Sequence, residues 1–475
     1  MSQSKELNRK AGKAGLWYTV ANMVLKGCVF LTLPVFTRIL STSDFGIYNA
    51  YIAYEQILQA ILGLGLYGTV KNAKLDFEEK FDEYLSSVLT LSIIALLAVT
   101  FIVNICFGFI GPFLRFSRTV TNCLIFQSFG AYLIYFYGAK LNIEFKYKSF
   151  IAISFFNTLF NLAASILLIL FVFPNERYLG RIVGSALPLI IIAVSLIIYI
   201  YFRGRTLYNK NYWKYALAIG IPLVPHVVSQ SLLSQFDRIM IRDMIGSGEA
   251  GIYSYIHTIC TITYVICSSF DNAWTPWIYM KLKNKDEHEI KSASTYYVLL
   301  FAALTLGFIC VMPEVTKLIA NSSYWSGIDL LIPTALANFC VFLYMLPVGI
   351  EYYNKKTQYI SLGTVFAALL NLGLNFVAIK AFGYKAAAYT TLISYFALFL
   401  LHWGLSKKFG FENCYQVKRI LAIFAGLFVI SMTLLWANNY YIIGLIIRYI
   451  IVVAILIGFF MEKDRVLSII KSRGN

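Results

Sequence analysis

Charge is what this chain has least of. Asp, Glu, Lys and Arg make up only 13% of its 475 residues, while 59% are hydrophobic and the mean hydropathy is +0.70. That balance excludes a soluble enzyme hiding its apolar surface and implies a protein dissolved in a lipid bilayer. Also missing are a G-x-x-x-x-G-K-[ST] run, an H-E-x-x-H run and any other cluster spaced to hold a metal. Their absence excludes a self-contained ATP pump, so no catalytic residue, no metal and no cofactor is expected beyond a coupling ion, H+ or Na+. The eight cysteines show no C-x-x-C spacing: seven lie in or beside apolar segments and Cys414 in a loop, which reads as reduced thiols. No connection on the outer side is long enough to fold. A membrane-embedded glycan polymerase or ligase, which would need a catalytic constellation and usually a large outer loop, is therefore the weaker alternative of a different class.

What is present is a series of apolar segments. Windows of about 20 residues place fourteen spans, at roughly 15–37, 45–66, 84–110, 119–139, 150–172, 182–202, 215–236, 250–270, 294–312, 330–350, 358–379, 386–405, 420–436 and 440–460. The first is too long for a secretory signal and carries Lys26 at its centre, so it belongs to the mature chain. With the N-terminus inside, cytoplasmic connections hold 28 Lys and Arg against 10 outside, which sets both termini in the cytoplasm. The formal charge of +17 is mostly this topology signal. Anionic lipid or an acidic substrate is a secondary reading, and nucleic acid is not an expected partner.

The chain repeats itself. Asp44-Phe45-Gly46-Ile47-Tyr48 returns 205 residues later as Glu249-Ala250-Gly251-Ile252-Tyr253, each after a small-polar stretch suited to capping a helix. Each copy also puts an acid in the first turn, where the helix dipole favours it. The expected fold is therefore an all-α polytopic membrane protein of 14 transmembrane helices. Two six-helix lobes, residues 1–205 and 206–405, would be related by a parallel pseudo-twofold axis, with two extra C-terminal helices and a cytoplasmic tail in 406–475.

Ionisable groups at membrane depth are few, and each costs about 2.5 to 3.5 kcal/mol at a helix centre. Lys26 and Glu55 fall near the midplane of the first two spans, where they form either a structural ion pair or the lining of a substrate cavity. His226 lies at the same depth in Pro222-Leu223-Val224-Pro225-His226, as a packing residue or as a proton-sensing one. Arg238 and Arg242 crowd the outer end of the seventh span with Asp237 and Asp243, and Arg38 occupies the comparable place after the first. They either snorkel to headgroups or form a cationic rim for phosphate or acidic sugar. Asp271 closes the eighth span, solvated or coupling a cation. Arg448, mid-way along the last span, either pairs with a neighbouring helix or meets a diphosphate at a lipid groove. Tyr48, Tyr51, Tyr54, Tyr253 and Tyr255 could stack on sugars or pack between helices.

The run from Leu33-Pro34-Val35-Phe36-Thr37-Arg38 through Leu40-Ser41 to Phe45-Gly46-Ile47-Tyr48 resembles the opening of bacterial Wzx-type polysaccharide flippases. These form the polysaccharide transporter branch of the multidrug, oligosaccharidyl-lipid and polysaccharide exporter superfamily. The resemblance implies a flippase of the bacterial cytoplasmic (inner) membrane. It would move undecaprenyl-diphosphate-linked oligosaccharide units to the outer leaflet by ion-coupled alternating access, for O-antigen, lipopolysaccharide or capsule. It implies partnership with the pathway's polymerase and glycosyltransferases, and makes Lys26 the position matching a cavity cation for the diphosphate. A multidrug exporter of the same superfamily is the alternative within the fold.

Overall fold

A computed structural model describes residues 30, 32–409, 414–438 and 440–461, with the side chains of Ala273 and Tyr441 excepted. The described chain is helical from end to end. Its helices are α1 (32–39), α2 (Thr42–Leu62), α3 (Val70–Asp76), α4 (Phe81–Ile105), α5 (Phe107–Leu114), α6 (Arg118–Ile143), α7 (Tyr147–Leu167) and α8 (Arg177–Gly204). They continue with α9 (Lys210–Met244), α10 (Ser247–Lys283), α11 (Glu287–Ile319), α12 (Leu331–Tyr353), α13 (Thr357–Phe382), α14 (Ala386–Lys408), α15 (Val417–Ala437) and α16 (Tyr441–Met461). Among the described residues, eleven are long and apolar enough to cross a membrane. The expected spans 45–66 and 119–139 fall on α2 and α6, which lie outside those eleven. Their polar residues explain this: α2 carries Asn49, Glu55, Gln56 and Gln59, and α6 carries Asn122, Gln127 and Lys140. The expected span 15–37 lies mostly outside the described residues.

The chain divides into two compact units, one of Met1–Ser254 with Thr364–Lys380, the other of Tyr255–Gly363 with Ala381–Asn475. In the first, α2 begins with a capping box. The Ser41 hydroxyl accepts from Asp44 N at 3.0 Å while the Asp44 carboxylate accepts from Ser41 N at 3.2 Å, so both ends of the motif satisfy amides that would otherwise be orphaned. The polar content of α2 and α6 is used between them: Tyr51 donates its hydroxyl proton to Gln127 Oε1 at 2.9 Å, in a layer where Tyr51 is fully buried. A second core gathers Phe77, Tyr84, Tyr212 and Tyr215, whose ring centroids lie 4.9–5.9 Å apart. At one end of α4, α6 and α8, Asp82 binds Lys140 at 2.5 Å and Arg203 at 3.6 Å. In the short α6–α7 connection beside it, the hydrogen bond from Lys146 to Glu144 holds the ammonium above the ordinary lysine range.

The two copies of the repeat meet each other inside this unit. A Cβ on Gly46 would stand 1.9 Å from the Ser247 carbonyl oxygen, and a Cβ on Gly251 would stand 1.9 Å from the Thr42 carbonyl oxygen. Each pair is offset by the same repeat length, so α2 and α10 cross by a reciprocal contact that only two glycines permit. Tyr51, Tyr54, Tyr253 and Tyr255 are buried.

The second unit packs around aromatic side chains. Trp274 stacks on Tyr297 at 4.8 Å, and Phe301, Phe339 and Phe342 continue the column towards Phe424 of α15. Helix α12 forms its centre, with 83% of its most apolar window buried, whereas α16 has 11% buried and turns its Ile, Val and Phe side chains outward. All seven cysteines among the described residues are free. Cys414, in the connection before α15, is fully buried, and burial pushes its thiol up to about 12.

Candidate functional site

The expected site residues fall in both units. Lys26 lies outside the described residues, so its pairing with Glu55 is not visible. Glu55 itself is buried in α2 at 7% exposure, and no hydrogen bond or ion pair reaches it among the described residues. Arg38 is exposed at the end of α1. His226 is half-buried in α9, a helix that runs for 35 residues through both prolines. Asp271 is half-buried in α10 and accepts from the Thr275 hydroxyl at 3.2 Å.

Arg238 and Arg242 are drawn inward rather than outward, at 6% exposure each. Arg242 donates through Nη2 to the Leu114 carbonyl at 3.0 Å and through Nε to Asp243 at 2.7 Å. Its guanidinium lies 5.0 Å from the Phe116 ring and 5.6 Å from that of Tyr54. Beside it, α9, α10 and α13 bring together a buried oxygen-rich cluster. Asp237 accepts from the Tyr253 hydroxyl at 2.6 Å and from Asn375 Nδ2 at 2.6 Å, while Asn375 Nδ2 also reaches Asn371 Oδ1 at 3.1 Å. All four side chains are at most 2% exposed. One carboxylate with two amides and a phenol is a donor set suited to a hard monovalent cation, after the amides turn their oxygens inward. No group of three or more His, Cys, Asp or Glu suited to a metal occurs among the described residues.

Arg448 pairs with a neighbouring helix. Its guanidinium forks onto Glu314 of α11, Nη2 to Oε1 at 2.6 Å and Nη1 to Oε2 at 3.2 Å, and Nε donates to the Gly444 carbonyl at 3.2 Å.

Three features escaped the sequence reading. Arg181 of α8 sits four residues into the helix, between the rings of Phe36 at 4.0 Å and Tyr48 at 4.4 Å, and donates to Asn161 Oδ1 and Ser165 Oγ at 2.6 and 2.7 Å. It lies just outside the expected span 182–202, where an apolar window does not mark its depth. Asn371 and Asn375 are uncharged, and only their spacing of four on an apolar helix marks them as neighbours on one face. The pair Glu351 and His402 lies on α12 and α14, which are distant in sequence, and no local pattern joins it.

With this geometry in view, comparisons place the chain. Residues 11–281 match the family described as "Polysaccharide biosynthesis protein". A protein of Haemophilus influenzae described as "Uncharacterized membrane protein" is 24% identical over 376 residues, covering 75% of this chain and 87% of that one. The structure titled "Lipid II flippase MurJ, inward closed conformation" superposes with a TM-score of 0.71 at 14% identity, over 95% of this chain and 100% of that one. An inward-facing multidrug resistance MATE family transporter of the MOP superfamily gives 0.66 at 13% identity, over 85% and 98%. The fold is thus one that MurJ and MATE structures share, in a multi-pass membrane protein.

Proposed function

Because the chain belongs to the polysaccharide biosynthesis protein family, we propose that it is a lipid-linked oligosaccharide flippase of the Wzx type. In this reading it carries undecaprenyl-diphosphate-linked repeat units from the cytoplasmic to the outer leaflet of a bacterial cytoplasmic membrane, with both termini inside. Two six-helix halves, residues 1–205 and 206–405, exchange access between leaflets, and an H+ or Na+ gradient drives the exchange. The observation that supports this most is the family match combined with a fold shared, over nearly the whole chain, with the lipid II flippase MurJ.

Lys26 supplies a desolvated cation to the diphosphate, and Glu55 holds that cation until substrate arrives. The Asp237 cluster is the donor set best suited to Na+. The O-antigen, capsule or other glycan enters from glycosyltransferases and leaves to a polymerase.

A second reading, a multidrug exporter, is favoured by the likeness to MATE structures and by Glu55, a buried acid suited to cationic drugs. The deciding experiment removes the chain from its own host. Surface polysaccharide should be lost and lipid-linked units should accumulate on the cytoplasmic leaflet, restored by the intact chain but not by Lys26→Ala at equal expression. Unchanged surface polysaccharide, together with efflux of cationic dyes from proteoliposomes, would install the exporter reading instead.

A further inference from the structure

Within the second unit, Glu351 near the end of α12 and His402 of α14 form a hydrogen bond between Oε1 and Nδ1 of 2.8 Å, with both side chains at 0% exposure. Their remaining polar atoms, Glu351 Oε2 and His402 Nε2, are buried without a partner among the described residues. The imidazole fits because α13 contributes a glycine there: a Cβ on Gly363 would stand 2.7 Å from Nε2. From the pair's own helices, Tyr344 packs its ring against the imidazole at 6.2 Å. The nearest charges along those helices are Lys355 and Lys356 beyond one, and Lys407 and Lys408 at the end of the other. The neighbouring helices carry Glu287, Glu289, Lys291, Glu314 and Lys317 in α11, Lys418 and Arg419 in α15, and Asp271, Lys281 and Lys283 in α10, whose Tyr279 packs against Tyr353 of α12.

We infer that Glu351 and His402 together are a proton-binding site, one that takes up and releases a proton as water gains and loses access to Nε2. The argument is one of charge. With a single proton, shared along the Nδ1···Oε1 bond, the site carries a net negative charge in surroundings closed to solvent. With a second proton on Nε2 it is an imidazolium and a carboxylate, neutral as a unit. Desolvation penalises the first state far more than the second. The dry site therefore holds two protons, and it loses one only where a proton acceptor can reach it. As a mere bridge between helices the pair is costly, because it leaves two polar atoms buried and unpartnered where apolar side chains of similar size would serve. Both residues lie toward the lysine-flanked ends of their helices, which the charge distribution of the loops makes cytoplasmic. The site deepens the ion-coupled reading above and rests on it for the use to which the proton is put, but its proton occupancy does not.

The test keeps these apart. The full-length chain, labelled with 15N-histidine in lipid nanodiscs, contains four histidines, and the signal lost in His402→Gln identifies His402. At about pH 7, near the ordinary histidine range, both ring nitrogens of His402 should carry protons. In Glu351→Gln one should remain, while exposed His288 behaves alike in both. A His402 that is singly protonated in the intact chain, or unchanged by Glu351→Gln, overturns the proposal. The second measurement is surface polysaccharide in cells at a series of external pH values. His402→Gln at equal expression should flatten the pH dependence at least severalfold, and an unaltered profile reduces the pair to a structural link. If no export depends on the chain at all, the transport reading fails while the nitrogen spectra still decide the proton site. If Glu351→Gln does not fold, the intact chain's spectrum decides alone.

Discussion

Arg181 in the first unit and Arg448 in the second are both arginines within apolar helices, yet only Arg448 meets a counter-charge among the described residues. Arg448 is forked onto a carboxylate, so the pair carries no net charge into its surroundings. Arg181 has an amide, a hydroxyl and two ring faces about it, and no carboxylate among its described partners. The same division separates the acids: Glu351 holds His402, whereas Glu55 has no partner among the described residues. Depth in the membrane therefore does not settle what a charge does. Whether a second charge cancels it does, and each unit contains a cation of a different kind.

The sharpest way to break the contrast is Glu314→Leu. It strands the Arg448 guanidinium, itself 4% exposed, without its counter-charge. Orphaning a fully buried ion costs about 3–5 kcal/mol. Glu314 keeps 28% exposure, so a loss of about 2–3 kcal/mol is expected, read as a lowered Tm of the purified protein in detergent. The double change Glu314→Leu with Arg448→Met should recover most of it, because no charge is then left over. A double variant as unstable as the single one would show that packing, not charge, holds α16 to α11.

How much of this could be read from the sequence depends on whether the pattern was local. The helical fold and most of its boundaries follow from apolar windows, and a cap ahead of α2 follows from the small-polar stretch with an acid in the first turn, whereas the reciprocal Ser41–Asp44 box needed the structure. The repeat was visible as letters, but its consequence, Gly46 and Gly251 crossing face to face, needed the backbones. Partners were the hidden part. Arg448 could be placed mid-span from the sequence, with both a helix partner and a diphosphate open to it. Only the structure brings Glu314 there from 134 residues away, on a helix packed beside α16. Asn371, Asn375, Glu351 and His402 were missed for the same reason. Each becomes informative only through the residue opposite it.

A smaller effect is expected from Arg181→Leu. It removes two hydrogen bonds and the contact with two rings but leaves no ion stranded, which predicts a loss of about 1–2 kcal/mol. The ordering matters more than the size. If Arg181→Leu lowers Tm further than Glu314→Leu, then cancellation of charge is not what distinguishes the two arginines.

The smallest effect on stability should come from Arg38→Ala. Arg38 is exposed at the end of α1, and no hydrogen bond or ion pair holds it among the described residues. A surface side chain of this kind changes stability by no more than about 0.5 kcal/mol. An uncancelled and uncommitted cation is nevertheless the one best able to meet an anion from outside the chain, whether a headgroup or the diphosphate of a substrate. Arg38→Ala should therefore leave Tm unchanged while lowering the yield of surface polysaccharide, and Arg38→Lys should restore part of it. The fall should be shallower in high-salt medium, where screening already weakens an exposed charge. Unaltered export in Arg38→Ala at every salt concentration would confine the contrast between cancelled and uncancelled cations to folding alone.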